Sequence, residues 1–409
     1  MNIAIVGAGI SGLTTAYYLQ NFADVTLFEK ERIGGKAQTF KKEEFLFEEG
    51  VNGFLSSGID ALELAEDIGV QLIKANENSK IRYIYDDKLY KLPSKPQEFI
   101  FSDILSFSAK LRVAQEFFIK QKKDDTDESV YQFALRRFGK EFADRFMVPM
   151  VAGIYASTPQ NLSLKSAFPK IYNLEKEYGG LFRGMLKLKK GGAPAGELMS
   201  CEFGISEYIE KLYDNLNIKF ENREIESIDE LGEFDKIILA TPSYDSAKIL
   251  KKYERLSQYL KEIKYNPVVV LGFNGDVEPV SFGILTTKLK TLGILFDKFI
   301  FPNRNGFRVM VGGDRFRNIV ELSDDEIVKM VIDDIEKVIG KRDIKLEFIK
   351  RWEKAIPNYS LGHSKIVENI RQERIENLYL NSGAYEGVSF SDRIKYSKLL
   401  AESIKNENS

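Results

Sequence analysis

Gly7, Gly9 and Gly12 fall in G-x-G-x-x-G spacing directly after the apolar run 3–6, and Glu29 ends a second apolar run, 25–28. Binding of a dinucleotide asks for this set. Gly7 permits a tight turn, Gly9 lets the backbone approach a pyrophosphate, and Gly12 lets a helix pack against the strand before it. Ile10 and Ser11 open that helix, whose N–H groups and positive partial charge suit phosphate oxygens. Glu29, followed by Lys30, stands where an acid accepts ribose hydroxyls. A lone glycine motif is weak evidence, but here the strand before, the helix after and the acid agree. The competing reading is a glycine-rich turn in an unrelated α/β domain.

Three further stretches favour FAD over a nicotinamide. Gly34-Gly35-Lys36 offers a second close backbone approach to the diphosphate and adds a cation. Gly50, Val51 and Asn52 sit in a glycine-rich turn that could skirt a flavin. Near the C-terminus, a short strand ending at Leu380 precedes Gly383, Glu386, Gly387 and Val388, with Ser391 and Asp392 as N-cap residues for a last helix through Leu400. A helix N-terminus aimed at a flavin would stabilise the negative charge of its reduced ring. The alternative is a plain strand-loop-helix closing the sheet. Between these regions, Ile225 can offer backbone contacts to an adenine, and Thr241 follows the buried strand 234–240.

Other chemistries are scarce. The single cysteine, Cys201, excludes an internal disulfide and a cysteine-based metal cluster, and no metal is expected. The single histidine, His363, excludes a multi-histidine metal site and a Ser-His-Asp triad, and is read as structural. The hard chemistry therefore falls to the cofactor, and no side chain is expected to act as a catalytic acid or base. A net charge of −2 argues against nucleic acid as a partner. With 44% hydrophobic and 29% charged residues the chain reads as soluble and globular, without the roughly 20-residue apolar run of a spanning helix. The first strand begins at once, so no targeting segment is expected and the location is read as cytoplasmic.

Six segments recur in a characteristic order: Lys80-Ile81-Arg82-Tyr83-Ile84-Tyr85 with Leu92-Pro93, Val148-Pro149-Met150-Val151-Ala152-Gly153-Ile154-Tyr155-Ala156, Phe282-Gly283-Ile284-Leu285, Leu292-Gly293-Ile294-Leu295, Val309-Met310-Val311-Gly312-Gly313 and Ile356-Pro357-Asn358-Tyr359-Ser360-Leu361-Gly362-His363. On these the chain resembles the flavin-containing amine oxidase superfamily and, within it, the oxygen-dependent protoporphyrinogen and coproporphyrinogen oxidases. This resemblance implies hydride transfer from a porphyrinogen to flavin N5 in haem biosynthesis, with O2 reoxidising the flavin to give H2O2. It implies Arg82 as partner of a propionate, Leu285, Leu295 and Met310 as lining of an apolar slot, and Gly153 as a close approach of backbone to ligand. By residue type alone, the leucines and the methionine would be core, Arg82 a solvated surface residue and Gly153 a turn glycine. One cation, Arg82, leads to protoporphyrinogen IX as substrate; coproporphyrinogen III, with four propionates instead of two, is the alternative. A non-catalytic FAD- and porphyrin-binding protein is the reading of another class. The chain departs from the family in its shortness, in the compressed gap between Leu285 and Leu295, and in lacking paired glycines near Phe203.

The elements that must hold these residues make an α/β protein, with a Rossmann-type FAD-binding domain, a helical domain and a mixed-sheet substrate domain, amine-oxidase-like. The FAD-binding domain is discontinuous (1–55, 197–262 and 365–409), the helical domain spans 56–196 and the substrate sheet 263–364. Within the helical part, Phe99, Ile100, Phe101, Ile104, Leu105, Phe107, Leu111 and Phe118 form an apolar stripe. It reads either as a core-facing helix, the commoner case, or as a face resting on the inner surface of the cytoplasmic membrane. Gly191-Gly192-Ala193-Pro194-Ala195-Gly196 reads as a linker, and a homodimer is a further expectation.

Overall fold

All of Ile3-Ala4-Ile5-Val6 is buried, the unbroken apolar run that a strand covered on both faces requires. The computed structural model describes residues 1–188 and 196–407. Its strands begin with β1 (Asn2–Val6), β2 (Asp24–Glu29), β3 (Thr39–Lys42), β4 (Phe45–Glu48), β5 (Phe54–Leu55), β6 (Leu72–Lys74), β7 (Arg82–Tyr85) and β8 (Leu89–Lys91). They continue with β9 (Leu198–Cys201), β10 (Lys219–Asn222), β11 (Lys236–Leu239), β12 (Tyr265–Gly275), β13 (Gly283–Thr286), β14 (Thr291–Leu295), β15 (Phe307–Gly312), β16 (Ile344–Pro357) and β17 (Leu378–Leu380). The chain divides into two compact units. One holds Met1–Lys74, Gly196–Ile263 and Lys365–Ser409; the other holds Ala75–Ala195 and Lys264–Ser364.

The first unit is built on a five-stranded sheet in the order β10-β2-β1-β11-β17, parallel throughout. Parallel neighbours need a crossover, and the helix Ile10–Leu19 supplies the one from β1 to β2. The last helix, Phe390–Asn406, packs against it. Phe390, Ile394, Ala401 and Ile404 recur at helical spacing and share one core with Leu13, Ala16 and Leu19. A three-stranded sheet, β5-β9-β6, and the hairpin β3-β4 complete this unit.

The second unit carries a seven-stranded mixed sheet, β16-β12-β15-β14-β13-β7-β8. Side chains alternate across a strand, so Ile284, Ile294 and Val309 lie in one core with Ile327, Val331, Ile335 and Val338 of the helix Asp324–Ile339. That helix opens on a capping box between Ser323 and Glu326. In the helical part of the unit, Arg137 is fully buried and donates to Glu116 at 3.0 Å and Glu175 at 2.6 Å.

Several expectations change. Residues 56–74 belong with the first unit, because the helix Ile59–Asp67 buries Ala61, Leu64 and Ala65 in its core and β6 pairs with β9. The rest of the helical region and the substrate sheet form one unit rather than two domains. The stripe 99–118 is not one core-facing helix. Ser106 caps a new helix, Phe107–Ala114, which breaks the periodicity after Pro96–Phe101. Ile104 and Leu105 are buried, whereas Phe101, Phe107 and Phe118 are 87%, 76% and 78% exposed. The last helix is capped by Ser389, whose Oγ accepts from the Asp392 N–H at 3.1 Å, and it runs to Asn406. Of the expected linker, residues 191–195 lie outside the described residues.

Candidate functional site

At the end of β1 the chain turns at Gly7, whose φ of +102° is a conformation that favours glycine. The Gly7 N–H donates to the Phe28 carbonyl at 2.8 Å, tying the turn to β2. A Cβ on Gly12 would lie 1.8 Å from the Gly7 carbonyl oxygen, so only glycine lets the helix start this close to the turn. Gly9 differs: no atom lies within 4 Å of the place its Cβ would take. It is the N-cap of the helix Ile10–Leu19, and no side chain caps that end. The first-turn N–H groups, those of Ile10 and Ser11 among them, are left for an anion. Glu29 accepts from the Ala8 N–H at 2.8 Å and the Glu31 N–H at 3.0 Å, which fixes its carboxylate beside the turn. A carboxylate has about four lone-pair sites, so capacity remains for a hydroxyl.

The second glycine pair closes on the first. The Gly34 N–H donates to the Ala8 carbonyl at 2.7 Å, and a Cβ on Gly35 would lie 3.5 Å from Gly9 Cα. Lys36 follows. As a residue it is half-buried, but its ammonium is deep enough that desolvation pushes its pKa down to about 8, against the opposing pull of Asp245. Gly50 lies against the Lys36 backbone, where a Cβ would be 2.7 Å from the carbonyl oxygen. Val51 and Asn52 continue that turn, both half-buried. Lys30 is committed to Glu224 at 3.5 Å and Asp245 at 4.0 Å. Ile225 follows β10; it is buried, and its backbone N–H and carbonyl make no hydrogen bond among the described residues. Thr241 follows β11 with its methyl against Gly7, and its hydroxyl lies 2.8 Å from that of Ser246.

At the C-terminal end, Gly383 and Gly387 approach each other, Val388 is half-buried and Glu386 pairs with Arg371. Sequence reading missed the residue that fixes this turn. Arg393 is buried and donates to Ser11 Oγ at 3.0 Å, to the Glu386 carbonyl and to Asn381 Oδ1. Asn381 in turn donates to the hydroxyls of Thr15 and Ser397, each at 2.9 Å. The signal in the sequence was a cation in the first turn of a helix, where the helix dipole disfavours it unless something holds it. Open space at Gly9, an uncapped helix start and a desolvated cation at Lys36 fit an anionic dinucleotide.

In the second unit the strand register gathers the other candidates. Arg82 pairs with Gly283 and Gly283 with Leu295; Ile84 pairs with Leu285, Leu285 with Gly293 and Gly293 with Met310. Residues two apart share a face, so Arg82, Leu285, Leu295 and Met310 point the same way, opposite to the packed core. Leu285, Leu295 and Met310 are half-buried, while Ile284, Ile294 and Val309 between them are at most 1% exposed. Gly153 lies within the helix Val148–Tyr155, not in a turn, and its close approach is to Leu285, whose Cδ2 would be 2.6 Å from a Cβ there. Arg82 is exposed and has no carboxylate partner among the described residues; its guanidinium lies 4.8 Å from the Phe282 ring centre. Desolvation lowers its pKa, yet an arginine stays charged. His363 is buried and stacks on Tyr359 at 4.3 Å, and Cys201 is buried in β9. Among the described residues, no three His, Cys, Asp or Glu side chains gather as metal ligands.

Comparison with known proteins adds relatives over nearly the full length. The profile of the flavin containing amine oxidoreductase family matches residues 10–390. The coproporphyrinogen III oxidase of Bacillus subtilis (strain 168) is 25% identical, the match covering 97% of this chain and 96% of the relative. Protoporphyrinogen oxidase 2, chloroplastic/mitochondrial, of Arabidopsis thaliana is 27% identical, over 92% of this chain and 87% of the relative. Among solved structures, a protein of Exiguobacterium sp. 255-15, provisionally named a protoporphyrinogen oxidase, superposes with a TM-score of 0.83 at 23% identity, covering 99% of both chains. That likeness shows the amine-oxidase-like fold.

Proposed function

This chain belongs to the flavin-containing amine oxidoreductases and its cofactor is FAD; on that premise we propose that it oxidises a porphyrinogen to a porphyrin, a step of haem biosynthesis. The observation that carries the proposal is the face bearing Leu285, Leu295 and Met310, half-buried between core residues and ending at Arg82, a cation with no carboxylate partner among the described residues. A macrocycle of four pyrroles is a broad apolar body with carboxylates at its margin. It needs such a face together with a guanidinium fork for a propionate. The relatives named for porphyrinogen oxidation match this chain over more than nine-tenths of its length, which supports the same reading.

Bound in the first unit, FAD supplies a two-electron acceptor that molecular oxygen restores, with release of hydrogen peroxide. The chain's own work is binding and orientation. Gly9 and the first turn of Ile10–Leu19 take the diphosphate, Glu29 the ribose hydroxyls, Ile225 the adenine edge through its backbone, and Lys36 adds positive charge. Arg393 holds the 382–388 turn against Ser11. In the second unit, Arg82 orients the substrate through a propionate and the apolar face excludes water. No side chain has to move a proton, since pyrrole N–H protons leave to solvent. This agrees with the scarcity of histidine.

The test is aerobic incubation of the FAD-loaded protein with protoporphyrinogen IX and, separately, coproporphyrinogen III, following porphyrin fluorescence and peroxide against enzyme-free autoxidation. Acceleration of at least one with stoichiometric peroxide is expected; acceleration of neither refutes the proposal. Exposed Phe101, Phe107 and Phe118 support a peripheral membrane contact. Replacing all three with serine should release the protein from vesicles that retain the wild type. Equal retention would refute that contact.

A further inference from the structure

Arg315 follows Gly312 and Gly313, both at positive φ, on the loop leaving β15. This loop meets the end of the helix Val148–Tyr155, the Asp314 N–H donating to the Ala156 carbonyl at 2.7 Å. Arg315 Nη1 donates to the Thr287 carbonyl. Its Nε and Nη2 are buried and have no hydrogen-bond partner among the described residues. Those two nitrogens form one edge of the guanidinium. The same edge of Arg308 grips Asp297 with both prongs, Nε to Oδ2 at 2.9 Å and Nη2 to Oδ1 at 2.6 Å.

The carboxylates nearby are engaged elsewhere. Asp86 pairs with Lys288 at 2.7 Å and accepts from Thr287 Oγ1 at 2.7 Å, while Asp314 takes Arg317 at 3.1 Å and Asn161 at 2.9 Å. A buried donor edge without a partner is unfavourable, and a planar fork of this kind is matched best by a carboxylate. Its place along the sheet is informative too. Arg82 pairs with Gly283 at the start of β13, and Thr287, which holds Arg315, comes four residues later. At about 3.3 Å per residue the two cations are separated by roughly 13 Å along the strand direction. Between them lies the row of Leu285, Gly293 and Met310.

We infer that Arg315 is a second carboxylate anchor for the substrate, at the opposite end of the apolar face from Arg82. The inference rests on the porphyrinogen reading and deepens it. Protoporphyrinogen IX carries its two propionates on neighbouring pyrroles, so its acidic groups lie along one edge. Coproporphyrinogen III carries four, one on each pyrrole. A face with a guanidinium at each end selects the second, and the substrate assigned is coproporphyrinogen III rather than the protoporphyrinogen IX to which a single cation pointed.

The experiment compares the FAD-loaded wild type with Arg315→Gln, Arg315→Lys and Arg82→Gln. Each is measured for kcat and KM with both porphyrinogens and for binding of the oxidised product coproporphyrin III by fluorescence, with FAD content and melting temperature confirming the fold. Arg315→Gln should raise KM for coproporphyrinogen III about tenfold or more with kcat nearly unchanged, and should leave protoporphyrinogen IX almost unaffected. Arg315→Lys, which keeps the charge but loses the fork, should fall between. Arg82→Gln should weaken both. If the wild type turns over a porphyrinogen and Arg315→Gln leaves KM unchanged, the inference fails and the proposed function stands. Equal weakening of both substrates would overturn the two-ended assignment. If the wild type oxidises neither but binds coproporphyrin III more tightly than Arg315→Gln, the function fails and the anchor stands. Absence of both turnover and binding would overturn both.

Discussion

Gly9→Ala separates cofactor binding from folding, because the space around Gly9 is empty of protein. Its backbone, at φ −74° and ψ 177°, is open to any residue, and its Cβ would meet no atom within 4 Å. Replacing a glycine at a compatible position stabilises by about 0.4–1 kcal/mol through the unfolded chain. Alanine is a poorer N-cap than glycine, at a cost of the same order. The two offset each other, and the apoprotein should stay within about 0.5 kcal/mol of wild type. FAD should feel the methyl directly, since the room at Gly9 is what the diphosphate requires. An overpacking penalty of about 1–3 kcal/mol is a loss of roughly 5- to 150-fold in affinity. The assay strips the flavin, titrates FAD back by its fluorescence and melts the apoprotein in parallel. Gly12→Ala is the contrast: its Cβ would lie 1.8 Å from a backbone oxygen, so it should destabilise the apoprotein itself. A Gly9→Ala protein with wild-type FAD affinity would refute the placement of the diphosphate at this turn.

Lys36 has a folded pKa of about 8, below the ordinary lysine value of 10.5. Between those values the unfolded chain binds more protons, so apoprotein stability should rise with pH from about 8 to 10.5, by about 3 kcal/mol at most. Denaturant midpoints across that window should show the rise in wild type and not in Lys36→Met. Neighbours on β14 should behave oppositely: Ile294→Ala, in the core, should destabilise by about 2–5 kcal/mol. Leu295→Ala, on the open face, should change KM more than the melting temperature. A larger melting loss for Leu295 would reverse the assignment of faces. Glu116→Gln leaves the fully buried Arg137 short of a counter-charge and should destabilise by about 3–5 kcal/mol in urea unfolding. A loss under 1 kcal/mol would mean that Glu175 suffices alone.

How much was legible follows from the range of each interaction. Gly7, Gly9 and Gly12 serve one turn whose contacts, apart from Ala240 and Thr241, are local in the chain, so their spacing, with the apolar runs on either side, announced the β1 turn, the helix and Glu29. The apolar run in 234–240 likewise foretold β11, because a buried strand needs nothing but such a run. Helix ends were less legible: Ser389 and Ser391 are equally good caps by type, and only the packing of Phe390 into the core selects Ser389. The stripe 99–118 misled because its spacing continues through a break that Ser106 creates.

The order of residue types by itself determined that this chain turns, caps and buries as a dinucleotide-binding βαβ unit, with its difficult chemistry left to a cofactor. Tertiary structure decided what distance along the chain conceals. Arg393 reaches Ser11 across 382 positions. Leu285, Leu295 and Met310 share a face only because three strands pair in one register, since a slip of one residue would turn each of them into the core. Arg315 matters only because folding engages the neighbouring carboxylates elsewhere and leaves one edge of its guanidinium buried without a partner among the described residues. Local spacing encodes which conformations a segment can take; which charges meet depends on where the whole chain brings them.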